Sequence, residues 1–279
     1  MPYLIAVSLI WAFSPGLTKG LTAGLDSSFV AAARLGLALL VFLPFLRFKG
    51  LTWPVAAQLT GLGAVQFGLM YLAYNESFRH LQAHEVALFT LTTPVFVTLL
   101  ADLLDRTFRT RALAAALLAV GGTFVIVFQG QNVRPTLWGL ALVQLSNLAF
   151  AAGQVGYKRL RAQHPALRDR EVFGLLYAGA VLLTLPVALA RVDVATLTLS
   201  STQAVTLVYL GVVASGLCFF LWNLGATRTG TGALAVMNNA KIPLMVACSL
   251  LFFGEYADIP RLFISLVLLT TAVWFAEKR

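Results

Sequence analysis

The residues best placed to do chemistry lie in "MNNAKIP", Met237 to Pro243, inside an otherwise apolar run from Gly232 to Gly254. Lys241 sits about ten residues from either end of that run, so at ~1.5 Å per residue it lies roughly 15 Å from either surface of a helix crossing a bilayer. Its stem is too short to snorkel out. A charge at such a depth costs about 2.5–3.5 kcal/mol on insertion scales. It needs a wet cavity, a buried acid or an anionic ligand. Asn238 shares its helical face three residues away and Asn239 is adjacent, so amide hydrogen bonds are available beside the ammonium. Pro243 denies a donor to the carbonyl of Asn239 and favours a kink there. The chemistry these types support is recognition of an anionic group, plausibly a carboxylate. The competing reading is structural: Lys241 satisfies freed carbonyls or a buried acid and never meets a ligand.

Weaker candidates lie on other apolar runs. Tyr71, Tyr74 and Asn75 follow Gln66 and Phe67, with Phe78 beyond. Phe219, Trp222 and Asn223 cluster, as do Trp11, Ser14 and Pro15, and Gln144, Asn147 and Gln154. Aromatic rings paired with amides suit an amphipathic organic solute bearing a flat ring, although such stripes serve packing more often than binding. Arg34 lies closer to mid-span than to an end and is kept as a secondary site with Thr92. Glu76 is a conceivable proton site near the end of its run. His80 and His84 have helical metal spacing, but the acid follows the second histidine rather than the first, so no metal is expected. No phosphate-binding GxxxxGK[ST] loop, nucleophile elbow or paired-aspartate motif is present. No cofactor, catalysis or ATPase subunit is implied.

The elements that hold these residues follow from composition. The 279 residues are 59% hydrophobic and 11% charged, about half the charge of a soluble chain. The apolar runs are long and apolar on all sides, which suits helices and excludes the short alternating strands of a barrel. Ten spans are expected, near 2–22, 28–47, 53–78, 83–104, 111–129, 136–157, 172–190, 202–225, 231–253 and 259–276. The start lacks the basic stretch of a signal peptide and is expected to remain as the first helix. Cys218 and Cys248 fall within spans and imply no disulfide framework.

The basic residues sort by parity of the loops. Even loops and the C-terminus carry thirteen, from Arg47 and Lys49 to Lys278 and Arg279; odd loops carry five, Lys19, Arg79, Arg134, Arg191 and Arg261. That bias places both termini in the cytoplasm. The net charge of +9 is therefore a membrane-orientation signal rather than a nucleic-acid one.

Two stretches also share a frame. Arg79 matches Arg228, Pro94 matches Pro243, and Thr92 takes the place of Lys241. Lys19 matches Lys158 and Pro44 matches Pro186, with small gaps. Each half, 1–131 and 135–279, holds five spans, so the halves run oppositely across the membrane. The expected architecture is an all-α polytopic membrane protein with ten transmembrane helices in two inverted five-helix repeats around a central cavity. Such symmetry suits alternating access with a midplane site.

"HEVALFTLTTPVFVTLL", "GALAVMNNAKIPLMVACSLLFFGE" and "LIWAFSPGLTK" resemble the drug/metabolite transporter superfamily, specifically its EamA-type members of two five-helix repeats. Within it the chain is most similar to bacterial amino-acid and amine exporters, including the aromatic amino-acid exporters of the YddG type. The resemblance implies a cavity lined by spans 1, 3, 4, 6, 8 and 9 and transport across the cytoplasmic membrane. One departure is Asp105 and Arg106 ending the first repeat where Gly254 and Glu255 end the second. The resulting expectation is a secondary or facilitative exporter of amino acids, aromatic ones favoured. Its partners would be that small molecule and the lipid bilayer, and a monomer would suffice. A carrier of organic cations, drugs or other small metabolites is the alternative. A membrane-embedded enzyme on lipid-linked substrates and a helper subunit without transport are the readings from other classes.

Overall fold

The computed structural model describes residues 1–12, 14–22, 24–81, 83–128, 136–193, 197–253 and 259–277. Arg134, Gly254, Glu255, Lys278 and Arg279, invoked above for charge bias and repeat ends, lie outside the described residues.

Every element is helical, and no strand occurs among the described residues. The helices are α1 (Pro2–Trp11), α2 (Ser14–Thr22), α3 (Ser27–Phe42), α4 (Trp53–Gly63), α5 (Met70–Ser77), α6 (Ala83–Thr90) and α7 (Thr93–Asp105). There follow α8 (Thr110–Val127), α9 (Leu137–Gln163), α10 (Asp169–Arg191), α11 (Ser201–Val208), α12 (Cys218–Thr227), α13 (Thr231–Phe253) and α14 (Ile259–Glu277). Two π-helical stretches, Ala64–Leu69 and Tyr209–Leu217, join α4 to α5 and α11 to α12. Among the described residues, six stretches are long and apolar enough to cross a membrane: 27–45, 53–77, 88–105, 169–191, 201–227 and 259–276.

Local chemistry sets the ends. Asp26 caps α3 by accepting from the backbone of Ser28 at 2.8 Å and of Phe29 at 3.3 Å. Burial alone raises the Asp26 pKa, but the Ser28 hydroxyl, these amides and the Arg191 charge outweigh it and hold the carboxyl below its usual range. Ser200 and Gln203 form a reciprocal capping box at α11.

Two expected spans are broken. Residues 2–22 divide between α1 and α2, where Pro15 stands in the first turn and its missing N–H costs no helical bond. The 83–104 stretch divides between α6 and α7, just before Pro94. The carbonyl of Thr90, freed by that proline, accepts the Thr93 hydroxyl at 2.8 Å. Pro243 instead lies inside the continuous α13. The matched prolines therefore act differently: one accompanies a break and the other is carried within a helix.

Packing relies on close backbone approach, as expected where lipid removes most of the hydrophobic drive between helices. A Cβ on Gly63 would stand 1.8 Å from the Leu176 carbonyl oxygen, and one on Gly179 1.8 Å from that of Thr60. Only glycine lets α4 and α10 meet there. Large rings fill the interior, with Trp222, Tyr157, Tyr177, Phe67 and Phe173 fully buried. Apolar side chains also face outward, among them Leu103, Leu182, Val205 and Phe263. An outer surface of this kind is solvated by lipid tails, not water.

Candidate substrate site

The tip of Lys241 is where the sequence placed the strongest demand. Its Nζ lies 5.4 Å from the centre of the Trp11 ring and 5.9 Å from that of Phe150. Among the described residues it makes no hydrogen bond and no ion pair. The ammonium is thus held against ring faces, with three N–H donors open to a ligand.

Trp11 and Phe150 belong to a larger aromatic group. Trp11 packs on Phe219 at 5.1 Å and on Trp222 at 5.2 Å, and Phe150 on both at 6.0 and 6.3 Å. Phe219 then meets Phe67 at 4.7 Å and Tyr71 at 5.9 Å. Helices α1, α5, α9 and α12 and the 64–69 stretch thereby converge on one aromatic wall.

At its far side lies Arg34, only 4% exposed. Its guanidinium sits 4.6 Å over the Tyr71 ring. It donates from Nε to the Ser215 hydroxyl at 3.1 Å, and from its two terminal nitrogens to the hydroxyls of Thr18 at 3.1 Å and Tyr71 at 2.6 Å.

The π-helical stretch 209–217 explains why these groups meet. Its irregular turn leaves carbonyls to be satisfied by side chains, as such stretches do at functional sites. The Trp11 indole donates to Ala214 O at 2.8 Å, and the Tyr177 hydroxyl proton is shared between Ser215 O and Gly216 O at 2.9 and 2.6 Å. Trp11 and Arg34 are therefore anchored on neighbouring residues, Ala214 and Ser215.

The asparagines of the sequence reading all bind protein. Asn238 exchanges bonds with Gln154 at 3.3 Å, and Gln154 also accepts from the Trp222 indole at 3.0 Å. Asn239 donates to Leu91 O at 2.9 Å and to the Thr123 hydroxyl at 3.0 Å, tying α13 to the α6–α7 break and to α8. Asn147 donates to Phe89 O and to Thr92, and Thr92 donates to Gln144 at 2.8 Å. Asn223 accepts from Gln66 at 3.2 Å, and Asn75 donates to Ser27 O at 3.0 Å. Tyr74 leaves the aromatic group and packs edge-on to Phe78 at 5.1 Å. Ser14 is buried, and its hydroxyl has no partner among the described residues. Glu76 pairs with Arg79 at 3.3 Å and Arg191 at 3.1 Å.

Phe150, Thr18, Ser215 and Tyr177 join the site without having been singled out from the sequence. Phe150 carries a signal, since it lies four residues before Gln154 and three after Asn147 on the polar face of α9. Thr18 lies seven residues after Trp11. Ser215 and Tyr177 act on groups of other helices and carry no local sign.

At the end of the molecule holding Arg47 and Arg170, two recesses open on the surface. One is lined by Phe48, Leu51, Trp53 and Leu175, the other by Phe45, Arg47, Arg170 and Glu171. Neither shares a residue with the aromatic wall.

A helical bundle with apolar outer faces and six stretches long and apolar enough to cross a membrane among the described residues fits a multi-pass membrane protein. A model of the EamA-like transporter family matches residues 1–128, and one of the Triose-phosphate Transporter family matches residues 83–271. A "Probable biotin transporter" of Pseudomonas aeruginosa is 42% identical over 276 residues, covering 98% of this chain and 96% of that one. Proteins named "Biotin transporter" from Salmonella typhimurium and Escherichia coli are 37% and 36% identical, each match covering all of this chain and 93% of theirs. A solved structure superposes with a TM-score of 0.79 over 99% of this chain and 96% of its own, at 17% identity, a likeness of fold alone. The chain belongs to the drug/metabolite transporter superfamily, and it is a transporter rather than an enzyme.

Proposed function

We propose that this protein carries biotin, or a metabolite of the same build, across the cytoplasmic membrane by alternating access. The observation that carries this reading is full-length identity of 36–42% to proteins named biotin transporters. The reading departs from amino-acid export, which the names of the relatives do not support. It falls instead within the wider class of small-metabolite carriers.

The site chemistry suits such a solute. Biotin joins one carboxylate, an aliphatic chain and a fused ring bearing a cyclic urea. Lys241, with no ion pair among the described residues, would take the carboxylate, and Trp11, Phe150, Phe219 and Trp222 would enclose the apolar chain and ring. The asparagine and glutamine bonds described above would hold the helices that carry these groups, with Asn238 and Asn239 as scaffold. Because the rings touch one another, a substrate must part them, so binding would be coupled to helix movement.

The carrier would use ten crossings, with α1–α2, α4–α5, α6–α7 and α11–α12 each serving as one, in two inverted halves. The π-helical stretches support this arrangement, since they interrupt the third crossing of each half, 64–69 and 209–217.

An amino acid with an aromatic side chain would satisfy the same lysine and rings, so it is the second reading. Purified protein in liposomes, assayed for labelled biotin uptake with phenylalanine and tryptophan as competitors, separates the two. Saturable biotin uptake that neither amino acid suppresses supports the proposal. Inert liposomes, or exchange of the amino acids in its place, refute it.

A further inference from the structure

We infer that Arg34, Thr18, Tyr71 and Ser215 form a second polar end of the substrate site, which binds the urea oxygen of the substrate. The inference rests on the biotin reading and deepens it.

The argument is a count of hydrogen-bond donors. A guanidinium carries five N–H groups. Three are used, on Ser215, Thr18 and Tyr71. One N–H on each terminal nitrogen is left without an acceptor among the described residues. The Tyr71 and Ser215 hydroxyls lie 3.1 Å apart and bond each other, which consumes one of their two protons and leaves one. Thr18 spends its proton on Ser14 O at 2.9 Å. Three donors therefore remain around a buried cation whose partners among the described residues are all neutral. Buried donors without acceptors are costly, and a buried cation without a counter-charge more so. Among the described residues the cluster lacks an oxygen acceptor of high basicity.

Which oxygen it takes follows from the other cation. Biotin has one negative charge, and two cations border the aromatic wall. Among the described residues Lys241 has no hydrogen-bond partner, whereas Arg34 already has three, so the carboxylate goes to Lys241. The acceptor left for Arg34 is the urea carbonyl oxygen, which is neutral, strongly polarised and able to accept several N–H and O–H bonds. The two ends share one scaffold. Trp11, which carries the Lys241 contact, bonds Ala214, and Arg34 bonds Ser215, the next residue. Phe219 spans the interval, 5.1 Å from Trp11 and 5.9 Å from Tyr71, and would lie along the apolar body between.

The test uses inhibition of labelled biotin uptake into proteoliposomes by two probes. In 2-iminobiotin a protonated nitrogen replaces the urea oxygen, and in biotin methyl ester the carboxylate charge is removed. The wild type should prefer biotin to 2-iminobiotin by about ten- to hundredfold, the span of a hydrogen bond to a charged group. Arg34→Gln and Tyr71→Phe should narrow that ratio several-fold while leaving the discrimination against the methyl ester intact. Lys241→Met should do the reverse. A tie between helices with no ligand role would change stability but neither ratio. If Arg34→Gln does not fold, Tyr71→Phe and Ser215→Ala each remove one hydroxyl and decide the matter. Folded variants that keep the wild-type preference for biotin over 2-iminobiotin overturn the inference while the biotin reading stands. Loss of methyl-ester discrimination in the Arg34 variant also overturns it, since Arg34 would then hold the carboxylate. Wild-type protein that moves no biotin removes the substrate reading itself.

Discussion

Replacing Lys241 by methionine tests the carboxylate role with little change in shape. The ammonium contacts two rings, at 5.4 and 5.9 Å, each contact contributing about 0.5–2 kcal/mol. Against these stands the cost of placing a charge at mid-span, about 2.5–3.5 kcal/mol. The two nearly offset, so losing both should change folding stability by no more than ~2.5 kcal/mol. Binding behaves differently. A hydrogen bond from an ammonium to a carboxylate contributes about 1.5–3 kcal/mol, so on the proposed function its loss should weaken biotin binding roughly ten- to hundredfold. Initial rates of biotin uptake in proteoliposomes, beside thermal melts in detergent, separate the two effects. The expected result for Lys241→Met is a normal melt with the KM for biotin raised by that factor and partial recovery in Lys241→Arg. An unchanged KM refutes the carboxylate role. A large drop in melting temperature would show instead that Lys241 holds the fold.

Three further outcomes concern the scaffold. Asn239→Leu removes the bonds to Leu91 O and Thr123 and should lower stability by about 1–3 kcal/mol in thermal melts; a wild-type melt with biotin binding lost would make Asn239 a ligand instead. Gly179→Ala drives a Cβ to 1.8 Å from Thr60 O, so α4 and α10 must separate; stability should fall by at least ~1–3 kcal/mol, and a variant that melts like the wild type would contradict the packing. Asp26→Ala should cost about 1 kcal/mol at neutral pH through loss of the α3 cap. Because the folded Asp26 pKa lies below its ordinary value, that contribution is complete above the ordinary carboxylate pKa and fades as pH falls through the lower one. The gap between wild-type and variant melts should therefore narrow as pH falls below the ordinary carboxylate range, and a gap independent of pH would exclude the cap.

The depth of Lys241 within its helix is legible in the sequence, because depth follows from counting residues in an apolar run. Pro94 was legible for a similar local reason, and the structure adds how Thr93 repairs the freed carbonyl. The apolar pattern of 2–22 reads as one span, and the split between α1 and α2 has only Pro15 to mark it. The π-helical stretches left no readable sign, since their composition matches that of ordinary membrane helices. The aromatic wall is assembled from residues far apart in the chain, such as Trp11 with Phe219, and pairings of that kind depend on packing between helices. Ser215 and Tyr177 are one serine and one tyrosine among several, given meaning only by the carbonyls and the arginine they meet. The substrate was the least legible part. A lysine beside rings and amides fits any amphipathic acid, aromatic amino acids included, and it is the names of full-length relatives, not periodicity, that favour biotin.

Counterflow of labelled biotin with the purified protein in liposomes tests that reading most directly. With unlabelled biotin trapped inside, label should accumulate transiently and saturably, faster than in protein-free vesicles and unaffected by excess phenylalanine. Absence of accumulation above protein-free vesicles, or accumulation driven by trapped phenylalanine rather than biotin, would contradict it.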